Sequence, residues 1–413
     1  MSDRVQGRMR EALGIEARDH DSAGRPRVAP DSTAAMAQML ALASAEGWLV
    51  RVEGRASWIP PDAPCDLVVT TLGLDRVVRI AATDLVATVE TGCALSGLAS
   101  QLADASMWLP WEPPGRPERT VGSVVATATA GPPRQGFGPI RDHVLGCTVV
   151  SGDGRVIQPG GAVVKNVAGY DLTRIQVGGF GAFGVVTEIH VRLRARPETD
   201  TTLVARGARD ALTSAGRDLV EAAADLIALE VLSPALAADA DWVLAARLAG
   251  PDAGVRAEAD RLGRVTGGGG GGRLEWTRLD SEQAHSLWGG SARGAQDGPV
   301  TIRLGVLLEG VDETLDLVGE HLDLGLVSAG AGSGSIRWTG DASAAQLRGL
   351  RAAAARREIP VTLERAPWPV RKAVGHFGAY REGVGGLVDK LREVFDPRGT
   401  LVVPVEESGG GDA

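Results

Sequence analysis

An α+β fold built from two large units is predicted by three features of the chain. The first 110 or so residues alternate β-branched runs with Ala- and Leu-rich stretches, so strands and helices take turns. The stretch from Arg119 to Pro197 is dense in glycine and carries short β-branched runs. From about residue 198 the composition shifts to Ala, Leu and Asp, with helix-length stretches between strands, which marks a second unit.

Residues 1–30 are polar, with Gly24, Pro26 and Pro30 as breakers, and read as an N-terminal arm or a first short helix. Asp31 and Ser32 look like a helix N-cap before an Ala-, Met- and Leu-rich run that ends near Gly47, because a short polar side chain there accepts an unpaired N–H of the first turn. Trp48 to Glu53 is a strand pattern closed by Gly54, and Leu67–Thr71 and Leu85–Glu90 are two more. Ser96–Ala105 is a short helix. Gly146–Val150, Gly154–Ile157 and Gly184–Leu193 are strands, the last alternating apolar and polar residues as a half-buried strand does. Further on, Ala208–Ala224 and Ala253–Arg261 read as helices, Trp242–Leu248 as a strand and Leu387–Phe395 as a final helix stopped by Asp396-Pro-Arg-Gly399. The six glycines Gly267–Gly272 cannot pack a core and are expected to form a loop tip, and the Gly-rich tail after Pro404 is expected to be disordered.

Bulk properties narrow the function. A chain of 413 residues can bury a large core, and a mean hydropathy of +0.01 with no apolar run of about eighteen residues suits a globular protein without a membrane span. Met1–Arg18 lacks the apolar centre of a secretory signal, so a cytoplasmic location is expected, with any membrane association coming through a partner. The net charge of −9 argues against a nucleic-acid partner. Cys65, Cys93 and Cys147 are far apart and offer no metal or iron–sulfur spacing, so each is expected to be a plain thiol and no metal site is expected.

Three stretches could carry chemistry. In Thr120-Val-Gly-Ser-Val-Val-Ala-Thr-Ala-Thr-Ala-Gly131 small residues let the backbone approach a ligand, and glycine permits the positive φ that points successive N–H groups at one anion; a pyrophosphate suits that, and so does a plain tight loop. The glycines Gly178, Gly179, Gly181 and Gly184 mimic a dinucleotide fingerprint, but no strand leads into them and a strand, not a helix, follows, which argues against NAD. Val52-Glu-Gly-Arg-Ala-Ser-Trp58 runs a strand into another small-residue turn able to offer N–H donors.

Taken in order, these pieces resemble one family. The turn after Val52, then Glu112-Pro-Pro-Gly, Thr120-Val-Gly-Ser with Gly131, Gly136–Asp142, Lys165-Asn-Val-Ala-Gly-Tyr-Asp-Leu172, Gly181-x-x-Gly-Val-Val-Thr-Glu188 and the closing Phe395-Asp-Pro-Arg-Gly399 are similar to the FAD domain of the vanillyl-alcohol-oxidase superfamily. Within it the chain most resembles the FAD-binding subunit of bacterial glycolate oxidase, which works beside a second flavin subunit and an iron–sulfur subunit. The likeness is close over about residues 47–197, weak through the middle and present again at 391–399.

The resemblance implies a two-subdomain FAD-binding domain of the PCMH type over residues 31–197, an α+β cap domain for substrate or partner over 198–365, and a segment, 366–413, returning to the FAD domain. It implies FAD held non-covalently, since no histidine lies between His20 and His143 to bond the flavin in the first loop. Gly54, Arg55, Ala56 and Ser57 would hold the pyrophosphate. Thr120, Val121, Gly122, Ser123, Thr127 and Gly131 would run along the flavin, with Arg141 and Asp142 supporting that loop. Gly184, Val185, Val186 and Thr187 would sit near ribose and adenine.

Departures from the family bear on catalysis. Relatives acting on D-2-hydroxy acids carry a histidine-rich stretch, whereas Ser328-Ala-Gly-Ala-Gly-Ser-Gly-Ser-Ile-Arg337 has none, and serine cannot take a hydroxyl proton as imidazole does. Arg337 reads as a solvated charge, although it could bind a carboxylate; His376 reads as a structural histidine, although it could be a base. The catalytic residues stay unassigned, and three functions stay open. The chain is the FAD subunit of a glycolate-oxidase-like complex that oxidises 2-hydroxy acids with a second flavin subunit and an iron–sulfur subunit, a free-standing FAD oxidase or dehydrogenase of another alcohol or hydroxy acid, or a structural subunit that has lost its flavin.

Overall fold

The computed structural model describes residues 2–162, 171–222, 224–262, 264, 274–378, 380 and 383–402. The six-glycine run, the tail after Pro404 and positions 165–170 of the Lys165–Leu172 motif lie outside the described residues.

The first thirty residues are not a detached arm. Helix α1 (Ser2–Leu13) buries Val5 and Met9 against Met36 and Met39 of helix α2 (Thr33–Glu46), because two apolar residues one helical turn apart make a stripe that has to be covered. Arg8 reaches Glu46 at the far end of α2 at 2.7 Å. Helix α2 has the expected caps: the Ser32 hydroxyl accepts from Ala35 N, and Gly47 closes the helix at φ 70°. These helices cover a four-stranded sheet whose strands run in the order Asp19–His20, Pro26–Val28, Leu67–Thr70, Val50–Glu53, the last three parallel.

A second, antiparallel sheet orders its strands Val77–Ala81, Val86–Glu90, Val185–Arg192, Val144–Val150, Val156–Ile157. The central strand Val185–Arg192 buries every second residue, as its sequence alternation requires. Helices α3 (Leu95–Asp104) and α4 (Val121–Thr127) close this core. The small-residue stretch after Arg119 is therefore a short helix and not an extended loop: the Thr120 hydroxyl caps it by accepting from Ser123 N at 3.2 Å. Val150 and Val185 pack into the core of the first sheet and join the two subdomains. The closing motif returns to that sheet: both Asp396 carboxylate oxygens accept backbone N–H groups, from Thr400 and Leu401, at 2.8 Å, and Val50 donates to Thr400 O.

The cap, Thr199–Arg365, is an eight-stranded antiparallel sheet. Helices 209–221, 252–262, 311–321 and 344–355 cover one face, burying Leu229, Val231, Ile302, Leu304, Ile336 and Trp338. Because side chains alternate along a strand, their neighbours Glu230, Arg303 and Arg337 turn to the opposite face, towards the first unit. Arg247 of the cap bridges Glu112 at 2.7 Å and Asp200 at 2.6 Å, and Gly136 donates to Ile227 O, which fixes the two units together. Among the described residues no helix is long and apolar enough to cross a membrane.

Candidate functional site

Two cavities meet along helix α4 and the loop that follows it. The first is a long cleft with about 1300 Å³ of empty space, open mouth included, between the two subdomains. The strand Val50–Glu53 ends in it, and the turn Gly54–Ser57 forms one wall. Ala56 sits at φ 51°, so the turn curls its backbone in the way that makes an anion nest. Close packing explains the small residues. A Cβ on Gly54 would stand 2.4 Å from Thr120 Oγ1, and one on Gly122 would stand 2.7 Å from Thr91 Cβ. Gly122 N donates instead to Thr91 O, and Thr91 Oγ1 donates to Val186 O at 2.7 Å, tying helix α4 to the central strand.

Of the residues expected from sequence, Gly54, Arg55, Ala56, Ser57, Thr120, Gly122, Ser123, Thr127, Gly184, Val185 and Val186 come together around this cleft. Gly131 lines the second cavity instead. Three others lie elsewhere. Val121 is fully buried in the core beside Val124 and Val125, since it is on the inner side of α4. Thr187 is buried, bonded to Thr33 and to Thr148 O, because the strand's alternation turns it inward. Asp142 is half exposed beside Arg141; the support under α4 comes from buried Ile140. Sequence reasoning missed Trp58, Phe180, Trp368 and Arg371, which also face the cleft.

The cleft suits an anionic, partly aromatic ligand. Arg55 has no partner among the described residues, and the buried Trp58 Nε1 has no acceptor. Behind the wall Arg119, 0% exposed, holds both cavities in register. Its Nη1 donates to Pro114 O at 2.6 Å and its Nη2 faces Ser123, Thr127 and Thr129 hydroxyls, while its carbon centre lies 4.7 Å over the Trp58 ring. Burial pushes this guanidinium down to about 9, since no carboxylate touches it.

His376, at the cleft wall, is buried and its Nδ1 lies 2.9 Å from Leu363 O, so Nδ1 carries the hydrogen. Burial lowers its pKa to about 4, which keeps it neutral near pH 7 and gives it a structural part. An unfolded histidine protonates near about 6.5. Between those values the unfolded chain binds the extra proton, so His376 makes stability fall as pH drops from about 6.5 towards 4. His376→Gln should flatten that limb in urea titrations run across this window; an unchanged slope would remove the assignment.

The second cavity, about 770 Å³, lies between the loop Ala128–Gly131 with Arg134 and the polar face of the cap sheet. Neighbouring strands place a row of side chains across it. Glu230 is hydrogen-bonded by Ser328 at 2.5 Å, Ser328 pairs in register with Arg337, and Arg337 pairs with Arg303. Glu364, 0% exposed, accepts from Arg303 Nε at 2.8 Å and Arg337 Nε at 2.9 Å. Arg337 is thus an inward-facing charge and not a solvated one. Arg134 faces it with no carboxylate partner among the described residues, and burial, then Arg303, Arg141 and Arg337, push its pKa down. Three arginines around a single fully buried carboxylate leave uncompensated positive charge, which an organic anion would neutralise. The signal in the sequence was slight: Arg303 and Arg337 take ordinary polar positions in the alternation of strands 300–305 and 335–340, which does not say what their face meets.

Comparison with known proteins fits this geometry. Residues 26–170 match the FAD binding domain family. A stretch of 128 residues is 42% identical to glycolate oxidase subunit GlcE of Escherichia coli, covering 31% of this chain and 37% of that protein. Another of 139 residues is 34% identical to glycolate oxidase subunit GlcD of Bacillus subtilis, covering 34% and 30%. A mitochondrial D-lactate dehydrogenase of Arabidopsis thaliana is 32% identical over 131 residues, 32% of this chain and 23% of that one. Each match therefore spans well under half of the relative's length. In overall shape the chain is similar to 4-ethylphenol oxidase from Gulosibacter chungangensis, with a TM-score of 0.76 over 97% of this chain and 95% of the other at 13% identity.

Proposed function

We propose, from the premise that residues 26–170 are an FAD-binding domain and that FAD is this chain's cofactor, that the chain is the flavin subunit of a 2-hydroxy-acid oxidase. The observation that carries the substrate class is the arginine-lined chamber beside Gly131.

When bound, FAD supplies a two-electron, hydride-accepting ring. Around it, the turn Gly54–Ser57 would hold the pyrophosphate, with Arg55 adding charge and Gly184–Val186 bordering the nucleotide, while the first-turn amides of α4 stay bonded to Cys93, Thr91 and Thr120. In the chamber Arg303 and Arg337 keep their Nε groups on Glu364 and Arg337 Nη2 also reaches it at 3.4 Å, which leaves the outer nitrogens of Arg303 and Nη1 of Arg337 to bind a carboxylate. Arg134 closes the anion from the opposite wall. The substrate's carbinol carbon is thereby presented at the loop Ala128–Gly131, which follows directly on the cleft-lining Ala126 and Thr127.

Glycolate and D-lactate fit this chamber, and the names of the relatives support both. The relatives named as glycolate oxidase subunits GlcE and GlcD support a complex with a second flavin subunit, in which electrons leave to a partner that carries an iron–sulfur centre. Association with a membrane, where it occurs, comes through such a partner.

The protein should purify yellow, alone or with its partners, and its long-wavelength flavin band should bleach on anaerobic addition of glycolate or D-lactate. Arg337→Met should weaken the hydroxy acid roughly tenfold to a hundredfold, since a hydrogen bond to a charged group contributes about 1.5–3 kcal/mol. Flavin that no 2-hydroxy acid bleaches, in the complex or alone, would refute the reading.

A further inference from the structure

The chamber contains a further ionisable group, Glu230, that neither substrate binding nor the bridge between the two units uses. We propose that Glu230 is the catalytic base that takes the substrate's hydroxyl proton, with Ser328 orienting its carboxylate. This rests on the 2-hydroxy-acid reading above.

Position comes first. Glu230 projects from strand Ala228–Leu232 on the same sheet face as Arg337 and Arg303, and all three line the chamber. Ser328, Arg337 and Arg303 pair directly across neighbouring strands at the spacing of about 4.8 Å, and Glu230, which pairs with Gly330, lies diagonally from Ser328 on the next strand. An acid whose carboxylate sits on the arginines therefore turns its adjacent hydroxyl towards the Ser328–Glu230 end. The Ser328 hydroxyl donates to Glu230 Oε2 at 2.5 Å and fixes its plane. On the other side, Glu230 Oε1 is so close to strand Leu326–Gly330 that a Cβ on Gly330 would come within 2.9 Å of it, so a larger residue there would displace the carboxylate.

Chemistry agrees with position. Serine cannot hold the proton, and the stretch 328–337 has no histidine, whereas a carboxylate bonded to that serine can. Glu230 is 6% exposed, and burial pushes its carboxyl up to about 7, the range in which a base both loses and regains a proton near neutral pH. The ionisable groups facing it are Arg337 and Arg303 with Glu364 between them, Arg134 from across the chamber, and Glu112 with Arg247 at the side. No histidine, lysine or cysteine lines the chamber among the described residues.

The step balances. The C–H bond of the carbinol carbon breaks with its electron pair, which leaves as hydride to oxidised FAD. The O–H bond breaks, its proton goes to Glu230, and a C=O bond forms. The 2-hydroxy acid loses two electrons to become the 2-oxo acid, and the cofactor gains them.

The test uses the full chain loaded with FAD, with its partners where they are needed for stability. In the wild type, anaerobic flavin reduction by glycolate or D-lactate should rise with pH through about 7. Glu230→Gln should slow reduction about a hundredfold or more and abolish that rise, with the flavin spectrum unchanged. Oxalate, a dianion that cannot be oxidised, should still bind, but calorimetry in two buffers should show proton uptake only in the wild type, because the arriving charge raises the Glu230 pKa. Should Glu230→Gln fail to fold, Ser328→Ala decides: losing the bond to the charged form should move the pH rise upward. Wild-type reduction with an unaltered rate, pH profile and proton uptake in these variants would overturn the assignment of Glu230 alone. A wild type that neither reduces nor binds oxalate would overturn the 2-hydroxy-acid reading, and this one with it.

Discussion

Glu364→Gln should destabilise the protein by roughly 3–5 kcal/mol, because it removes the one fully buried carboxylate between two arginines. Glutamine keeps the shape but brings no charge, so Arg303 and Arg337 are left repelling each other in a desolvated chamber. Burial alone would raise the Glu364 carboxyl; the two guanidiniums outweigh it and hold it below its ordinary value. Its stabilising contribution is accordingly present above the unfolded carboxylate pKa and is lost as pH falls into the acid range. Urea titration measures both effects. The triple variant Glu364→Leu, Arg303→Met, Arg337→Met should recover most of the loss, since an apolar replacement of a whole buried ion cluster is often near neutral. A loss below about 1 kcal/mol for the single change would mean that water enters and screens the cluster.

The second large effect is expected at Gly131, in the chamber wall that follows helix α4. A Cβ there would stand 1.6 Å from the carbonyl oxygen of Glu112 and 2.4 Å from its carbon. Backbone atoms have nowhere to go, so Gly131→Ala must displace either the loop Ala128–Gly131 or the segment that carries Glu112, and with it the Glu112–Arg247 bridge between the two units. A cost of about 3 kcal/mol, at the upper end for overpacking, is expected, with poor retention of FAD on gel filtration. Gly97→Ala is the matched control. Gly97 lies within α3, nothing stands within 4 Å of its Cβ position, and alanine should raise stability by about 0.5–1 kcal/mol. If both variants retain flavin and stability alike, the loop does not depend on close approach at Gly131.

Much of the first 200 residues was legible because its signals are local. Ser32 and Gly47 bound α2 through bonds to their own neighbours, and the alternation of Val185–Arg192 states which side is buried. Residues 1–30 stayed open between an arm and a short helix because the apolar stripe of α1 is only Val5 and Met9, and its stability comes from α2. Helix α4 was taken for a loop because small residues carry no hydrophobic period; the Thr120 cap and the ceiling at Thr91 decide it.

The cofactor side followed from order along the chain: a small-residue turn, the Thr120–Gly131 stretch and the closing Asp396 motif can be recognised one after another. The chamber could not be, since Arg134, Glu230, Arg303, Arg337 and Glu364 come from five separate elements. What the sequence by itself determined was most elements of the first unit and the flavin-shaped turns, because caps, alternation and tight glycine turns depend on residues a few positions apart. What only the tertiary structure decided was the charge of the chamber. Whether Arg337 is a solvated ion or half of a buried site depends on which strand lies beside it, and strand order is set by packing over the whole sheet.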